Sequence, residues 1–197
     1  MTEDSGFARL VSLACHDLRT PLATVNGFAR TLTRFEQLED PMPRYLQMMA
    51  TAADQMGGLL DDLGLVARIE SGRWEAASRE ADTLELARGA AARVEIAPVE
   101  VTGSGTAASV EPDAAERALA ALARCAVRHG GLKRLDVGVE GAEIRMAPVT
   151  DDSAGVLLGE DLRDFGAAVA GRIVSALGGS VAVEGEALVV RLPVAKS

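Results

Sequence analysis

Histidine and cysteine are scarce in this chain: each occurs twice among 197 residues, with no CxxC or HExxH pattern, so the sequence offers no recognisable metal site and none is expected. Cys15 and Cys125 lie far apart and in different predicted elements, which fits reduced thiols in a cytosolic protein better than a disulfide framework. Aromatics make up only 3% of the residues, but 48% are hydrophobic and 25% charged, the balance of an Ala- and Leu-rich folded protein rather than a disordered one. Basic residues are outnumbered, 20 Lys and Arg against 29 Asp and Glu. The resulting charge of -9 argues against general binding to nucleic acid or to an anionic membrane, both of which need clustered cations. No apolar run reaches about 18 residues. The opening "MTEDSGFARL" carries acids where a signal peptide would carry a basic region, so a soluble, cytoplasmic protein is expected.

The first third of the chain does contain a regular apolar pattern. Phe7, Val11, Ala14, Leu18, Pro21, Val25, Phe28, Leu32 and Phe35 recur in steps of four and three, a coiled-coil-like seam. Pro21 removes one rung of the hydrogen-bond ladder, so a bend is expected just below it. "EQLEDPMP" at 36–43 reads as a connection, after which Tyr45, Met49, Ala52, Met56, Leu59, Leu63 and Val66 form a second seam. Two antiparallel helices with such wide apolar faces have too little to pack against. Pairing of two copies through residues 7–70 into a four-helix bundle is the economical solution.

After "IESGRW" the pattern changes. Residues 82–94 look helical, "VEIAPVEVTGSG" alternates like a strand, and 113–128 form an Ala-rich helix. "RLDVGVEGAEIRMAPV" reads as a hairpin around Glu140 and Gly141. "DFGAAVAGRIVSALGG" reads as a helix stopped by glycines, and "SVAVEGEALVVRLPV" as a closing hairpin. The fold class is therefore α+β: a helical hairpin over 1–72, followed by an α/β sandwich over 73–197 with one helical layer on a mixed sheet.

In "LACHDLRTPLATVNGF", His16 falls at an f position of the first seam, pointing away from the bundle core. Asp17 is adjacent and can accept a hydrogen bond from one ring nitrogen, leaving the other neutral and nucleophilic. Thr20, four residues on, shares the same face. An exposed imidazole of this kind can take a phosphoryl group and hand it on.

"HDLRTPL" at 16–22 closely resembles the phosphoacceptor box of bacterial two-component histidine kinases, and "MGGLLDDLGLVARIESG" at 56–72 resembles the second helix of their dimerisation and phosphotransfer domain. More weakly, "ALAALARCAVRHGG" and "FGAAVAGRIVSALGGSVAVEGEALVVRLP" look like parts of the kinase ATP-binding domain. The resemblance implies that His16 is the phosphoryl acceptor and Asp17 its acid/base partner. It places Thr20 where relatives with phosphatase activity orient a water, and Arg19 where a cation stabilises phosphoryl charge.

The same resemblance puts Ala121 and Cys125 where the family carries asparagines, one of them a Mg²⁺ ligand, and keeps only Gly166 of a glycine-rich box. With the acceptor kept and the nucleotide box degenerate, the chain looks like the short histidine phosphotransferases. These are dimers that relay phosphoryl groups between response-regulator receiver domains. On that reading no cofactor is bound by this chain, and the receiver's acidic pocket supplies Mg²⁺. Three alternatives stand: a divergent kinase that still binds ATP, a response-regulator phosphatase using Asp17 and Thr20, and a non-catalytic binding scaffold.

Overall fold

In the computed structural model, residues 3–32, 34 and 42–195 are described; in the first helix, side chains are described at Val11, Cys15, His16 and from Leu18 onward. The side chains of Phe7, Ala14 and Asp17, together with Phe35 and residues 36–41 of the connection, lie outside the described set. Internal contacts divide the chain into two compact units, Met1–Trp74 and Glu75–Ser197.

The first unit is a pair of helices, α1 (Glu3–Leu32) and α2 (Met42–Glu70). α1 remains helical through Pro21, and the hydroxyls of Thr24 and Thr31 donate to the carbonyls of Thr20 and Gly27 four residues back. Among the described residues, the most buried positions of the two helices lie off the heptad seam. Their contact runs through Cys15 and Ala29, both buried, with Leu22 half-buried between them; each is seven residues from the next. On α2 the buried residues are Leu46, Ala50, Ala53, Gly64, Leu65 and Ala67, and Gly64 lies beside Cys15. Small side chains dominate this line, which lets the backbones approach closely.

The seam residues Leu18, Val25, Phe28, Leu32, Tyr45, Met49, Met56 and Leu59 are all exposed in the single chain, Phe28 at 67%. A seam of this kind suits a bundle with more helices than one hairpin provides.

The second unit contains β1 (Arg79–Asp82), α3 (Thr83–Ala92), β2 (Val99–Gly105), β3 (Ala107–Val110), α4 (Pro112–Gly130), β4 (Leu135–Gly141), β5 (Glu143–Ala147), α5 (Asp151–Leu157), α6 (Phe165–Ala176), β6 (Ser180–Glu184) and β7 (Ala187–Arg191). The five-stranded sheet runs β2-β4-β5-β7-β6. The β2–β4 pair is parallel and the others antiparallel, while β1 and β3 form a separate two-stranded ribbon.

Strand alternation sorts the two faces of the sheet. Val139, Ile144, Val190 and Val181 lie in register across four strands, and the first three are buried in the core with Val137, Met146 and Leu188. The other face carries a ladder of ion pairs in which Arg191 bridges Glu143 and Glu184, and Arg145 bridges the same two acids. The apolar face is covered by the helical layer expected from the sequence. That layer includes α4, in which every residue from Ala118 to Val127 except Arg124 is buried.

Local caps fix where the helices begin and end. Asp82 accepts from the backbone N–H groups of Leu84 and Glu85 to start α3, and Asp164 accepts from that of Ala167 to start α6. At the other end of α6, Gly178 adopts φ +83°, and the Gly179 N–H donates to the Val174 carbonyl at 2.9 Å. Gly178 and Gly179 thus close the helix as the sequence suggests.

Candidate functional site

His16 is exposed on α1. At about 100° per residue it sits about 160° around the helix from Leu18, away from both the seam and the line of contact with α2. That geometry matches the f position read from the sequence. Thr20 is also exposed and lies one turn along the same helix; its carbonyl accepts the Thr24 hydroxyl.

Arg19 is engaged. Its Nε and Nη2 donate to Oδ1 of Asp61 on α2 at 3.1 and 2.8 Å, so the cation three residues from His16 is held by the facing helix. Gly64 lies beside this pair: a Cβ there would stand 3.5 Å from Arg19 Nη2, 3.8 Å from Arg68 Nη1 and 4.0 Å from the Cys15 Cβ, all ordinary contact distances. A similar clasp forms further along, where Asp54 on α2 accepts from Asn26 and Arg30 of α1. Between the two clasps lies an open groove of about 320 Å³, floored by Ala23, Ala53, Gly57 and Gly58. Asp61 reads in the sequence as part of a solvated helix face, and only the fold brings it to Arg19, 42 residues away.

In the second unit, Ala121 and Cys125 stand one turn apart on α4, and both are buried. Gly166 lies in the first turn of α6, where an added Cβ would come within 3.2 Å of Asp164 Oδ1 and 3.6 Å of the Ala121 Cβ. Gly166 thus lies beside Ala121 across the α4–α6 junction. Burial pushes the Cys125 thiol up to about 12, the Asp164 charge adding to the rise and Arg128 opposing it. A protonated thiol and a methyl group offer no hard oxygen donor, so these positions do not fit a Mg²⁺-bearing nucleotide.

Sequence reasoning missed one grouping at this junction. Cys125 Sγ, a ring nitrogen of His129 and a carboxylate oxygen of Asp164 lie within 4.8 Å of one another. His129 Nε2 is 3.3 Å from Asp164 Oδ2, which also accepts from Arg128 at 3.2 Å. The spacing of Cys125 and His129, four apart on a helix, was the available signal; Asp164 is 35 residues further on.

Residues 8–72 match the family model of the His Kinase A (phospho-acceptor) domain. Over 64 residues the chain is 41% identical to the phosphate regulon sensor protein PhoR of Pseudomonas aeruginosa, a match covering 31% of this chain and 14% of that protein. Over these residues the chain is similar to the phospho-acceptor domain of two-component histidine kinases. It matches only a small part of the length of that kinase-family relative. The second unit carries the fold of the family's ATP-binding domain: the ATP-binding domain of PrrB from Mycobacterium tuberculosis superposes with TM-score 0.50 at 19% identity, covering 61% of this chain and 99% of that one. Full-length ShkA in complex with AMPPNP aligns over 96% of this chain and 46% of its own, with TM-score 0.70 and 20% identity. At these identities the likeness is one of fold. Among the described residues no helix is long and apolar enough to cross a membrane.

Proposed function

We propose that this chain is a phosphotransfer protein of the histidine kinase family in which His16 exchanges a phosphoryl group with the phospho-aspartate of a receiver domain. The exposure of His16 on the face of α1 opposite the seam carries this reading, because in-line attack needs free approach by a second protein. An imidazole nitrogen attacks phosphorus, the N–P bond forms as the P–O bond to the aspartyl carboxylate breaks, and that carboxylate leaves with the electron pair. Asp17 takes up the proton shed by the ring. Arg19 meets the transferring oxygens after giving up part of its hold on Asp61, and Thr20 positions water when the reaction runs as a hydrolysis. Mg²⁺ is supplied by the acidic pocket of the receiver, which docks around His16, Arg19, Thr20 and Ala23.

The same reading makes the protein a cytoplasmic homodimer, with the exposed seams of two hairpins closed against each other. The packing at Ala121, Cys125 and Gly166 supports a receiver rather than a nucleotide as the phosphoryl source.

The family match and the ATP-binding-domain fold favour a second reading, a divergent kinase that holds a nucleotide through other residues of its second unit. One experiment separates the two. The purified protein is titrated with a fluorescent ATP analogue and Mg²⁺, then incubated with γ-labelled ATP. Phosphotransfer alone gives no saturable binding and no label on the chain. Saturable binding with label on His16, lost in His16→Ala, makes it a kinase.

A further inference from the structure

Cys125 and His129 lie one turn apart on α4, and Asp164 caps α6 directly opposite them. The three groups form a largely enclosed cluster: Cys125 is fully buried, the Asp164 side chain is 8% exposed and that of His129 is 18% exposed. They come from two elements whose positions are independently fixed, α4 by its buried length against the core and α6 by the bond from Ala167 N–H to Asp164 Oδ1 at 3.0 Å. The second carboxylate oxygen, Oδ2, is left to face the imidazole.

From this juxtaposition we infer that Cys125, His129 and Asp164 form a binding site for a divalent metal ion of the Zn²⁺ class. One thiolate, one imidazole and one carboxylate make a mixed soft and borderline donor set, which favours Zn²⁺ over Mg²⁺ or Ca²⁺. The separations are close to what such an ion requires. Two ligands bonded at about 2.0–2.1 Å in a tetrahedron stand about 3.3 Å apart, and a sulfur at about 2.3 Å stands slightly further from each. His129 Nε2 and Asp164 Oδ2 are already at 3.3 Å, and all three ligand atoms lie within 4.8 Å. Modest closure of the Cys125 side chain completes the three-ligand face.

Arg128 is the charged group that opposes a cation here, since it shares Asp164 Oδ2. Its own side chain is 60% exposed, so it can move into solvent when the ion arrives. Binding breaks the Cys125 S–H bond as the S–metal bond forms, and the proton leaves to solvent; His129 ligates through Nε2 as its Nδ1–H tautomer, the proton that Nε2 turns toward Asp164 being exchanged to Nδ1 through solvent, and no oxidant or reductant is involved. Three protein ligands leave the fourth position to water or to an oxygen or nitrogen of another molecule. A bound ion would clamp α4 to the start of α6 at the junction where Ala121 and Gly166 meet.

The test is a titration of the chelator-treated full-length chain with Co²⁺, followed by absorbance, then competition with Zn²⁺ and with millimolar Mg²⁺. The expected result is one Co²⁺ per chain with a sulfur-to-cobalt charge-transfer band and tetrahedral ligand-field bands, displaced by Zn²⁺ and untouched by Mg²⁺. Cys125→Ala should lose the band, His129→Ala should weaken binding, and Cys15→Ala should keep both. Circular dichroism checks that each variant is folded, and Cys125→Ser replaces Cys125→Ala if the latter is not. Failure of the wild type to bind Co²⁺ or Zn²⁺ in excess overturns the inference, as does a band that survives in folded Cys125→Ala or disappears in folded Cys15→Ala.

Discussion

Arg19 on α1 and Asp61 on α2 are joined through a single carboxylate oxygen, three residues along from the exposed His16. Both side chains are largely exposed, so the pair contributes about 1 kcal/mol or less to stability. Its importance lies in where it holds the guanidinium. Arg19→Ala is expected to slow phosphoryl transfer at His16 by about tenfold or more through loss of a charge-assisted contact, while leaving the denaturation midpoint nearly unchanged. Asp61→Ala, which frees Arg19, should leave transfer as fast as in wild type or faster. Equal slowing in both variants would show that the pair acts only as a clasp between the helices.

The exposed seam sets the assembly state. Wild type is expected to sediment at twice the 20.5 kDa chain mass, and Val25→Glu combined with Leu59→Glu to sediment as a monomer. A monomeric wild type at micromolar concentration would contradict the four-helix arrangement.

Two glycines should respond to alanine in opposite directions. Gly103 has φ +112°, and a Cβ there would fall 2.0 Å from the Val139 carbonyl oxygen across the β2–β4 pair, so Gly103→Ala is expected to cost about 2 kcal/mol or more. Gly27 sits in α1 with open space around its would-be Cβ, so Gly27→Ala should add up to about 1 kcal/mol of helix stability. Urea denaturation of the two variants checks both signs.

Neither thiol should react with a disulfide reagent at pH 8 while the protein is folded. Cys15 and Cys125 are both buried, and the Cys125 thiol, at about 12, stays protonated four units below its midpoint. Both should react within the dead time once urea unfolds the chain; rapid modification of Cys125 in the native state would show that the α4–α6 junction opens.

Much of this organisation was legible in the sequence because it is periodic or marked by turn residues. The helical hairpin, the Ala-rich α4, the hairpin turning at Gly141 with φ +58°, and the glycine stop of α6 all carry local signals. The β1–β3 ribbon was not legible: Arg79–Asp82 and Ala107–Val110 are four residues each, too short for alternation to stand out, and they pair across more than twenty residues of intervening chain. The seven-residue α5 was also missed. Its capping box uses Ser153 in the place where Glu or Gln would have been the recognisable sign.

The heptads located the apolar stripe but not its partner, since the hairpin contact follows Cys15, Leu22 and Ala29 on a neighbouring face. The box singled out His16 as a candidate, and the fold adds that its side chain is exposed. The Arg19–Asp61 clasp and the Cys125, His129 and Asp164 cluster were not legible, because each depends on a contact between residues 35 or more apart.

The most direct measurement is transfer of label from phosphorylated receiver domains to the wild-type chain and to His16→Ala, with circular dichroism confirming that the variant is folded. Label on the wild type that is stable in alkali, lost in acid and absent from His16→Ala is the expected result, the signature of a phosphoramidate on His16. Equal labelling of His16→Ala, or no labelling of the wild type by any receiver, would contradict the assignment of His16 as the phosphoryl acceptor.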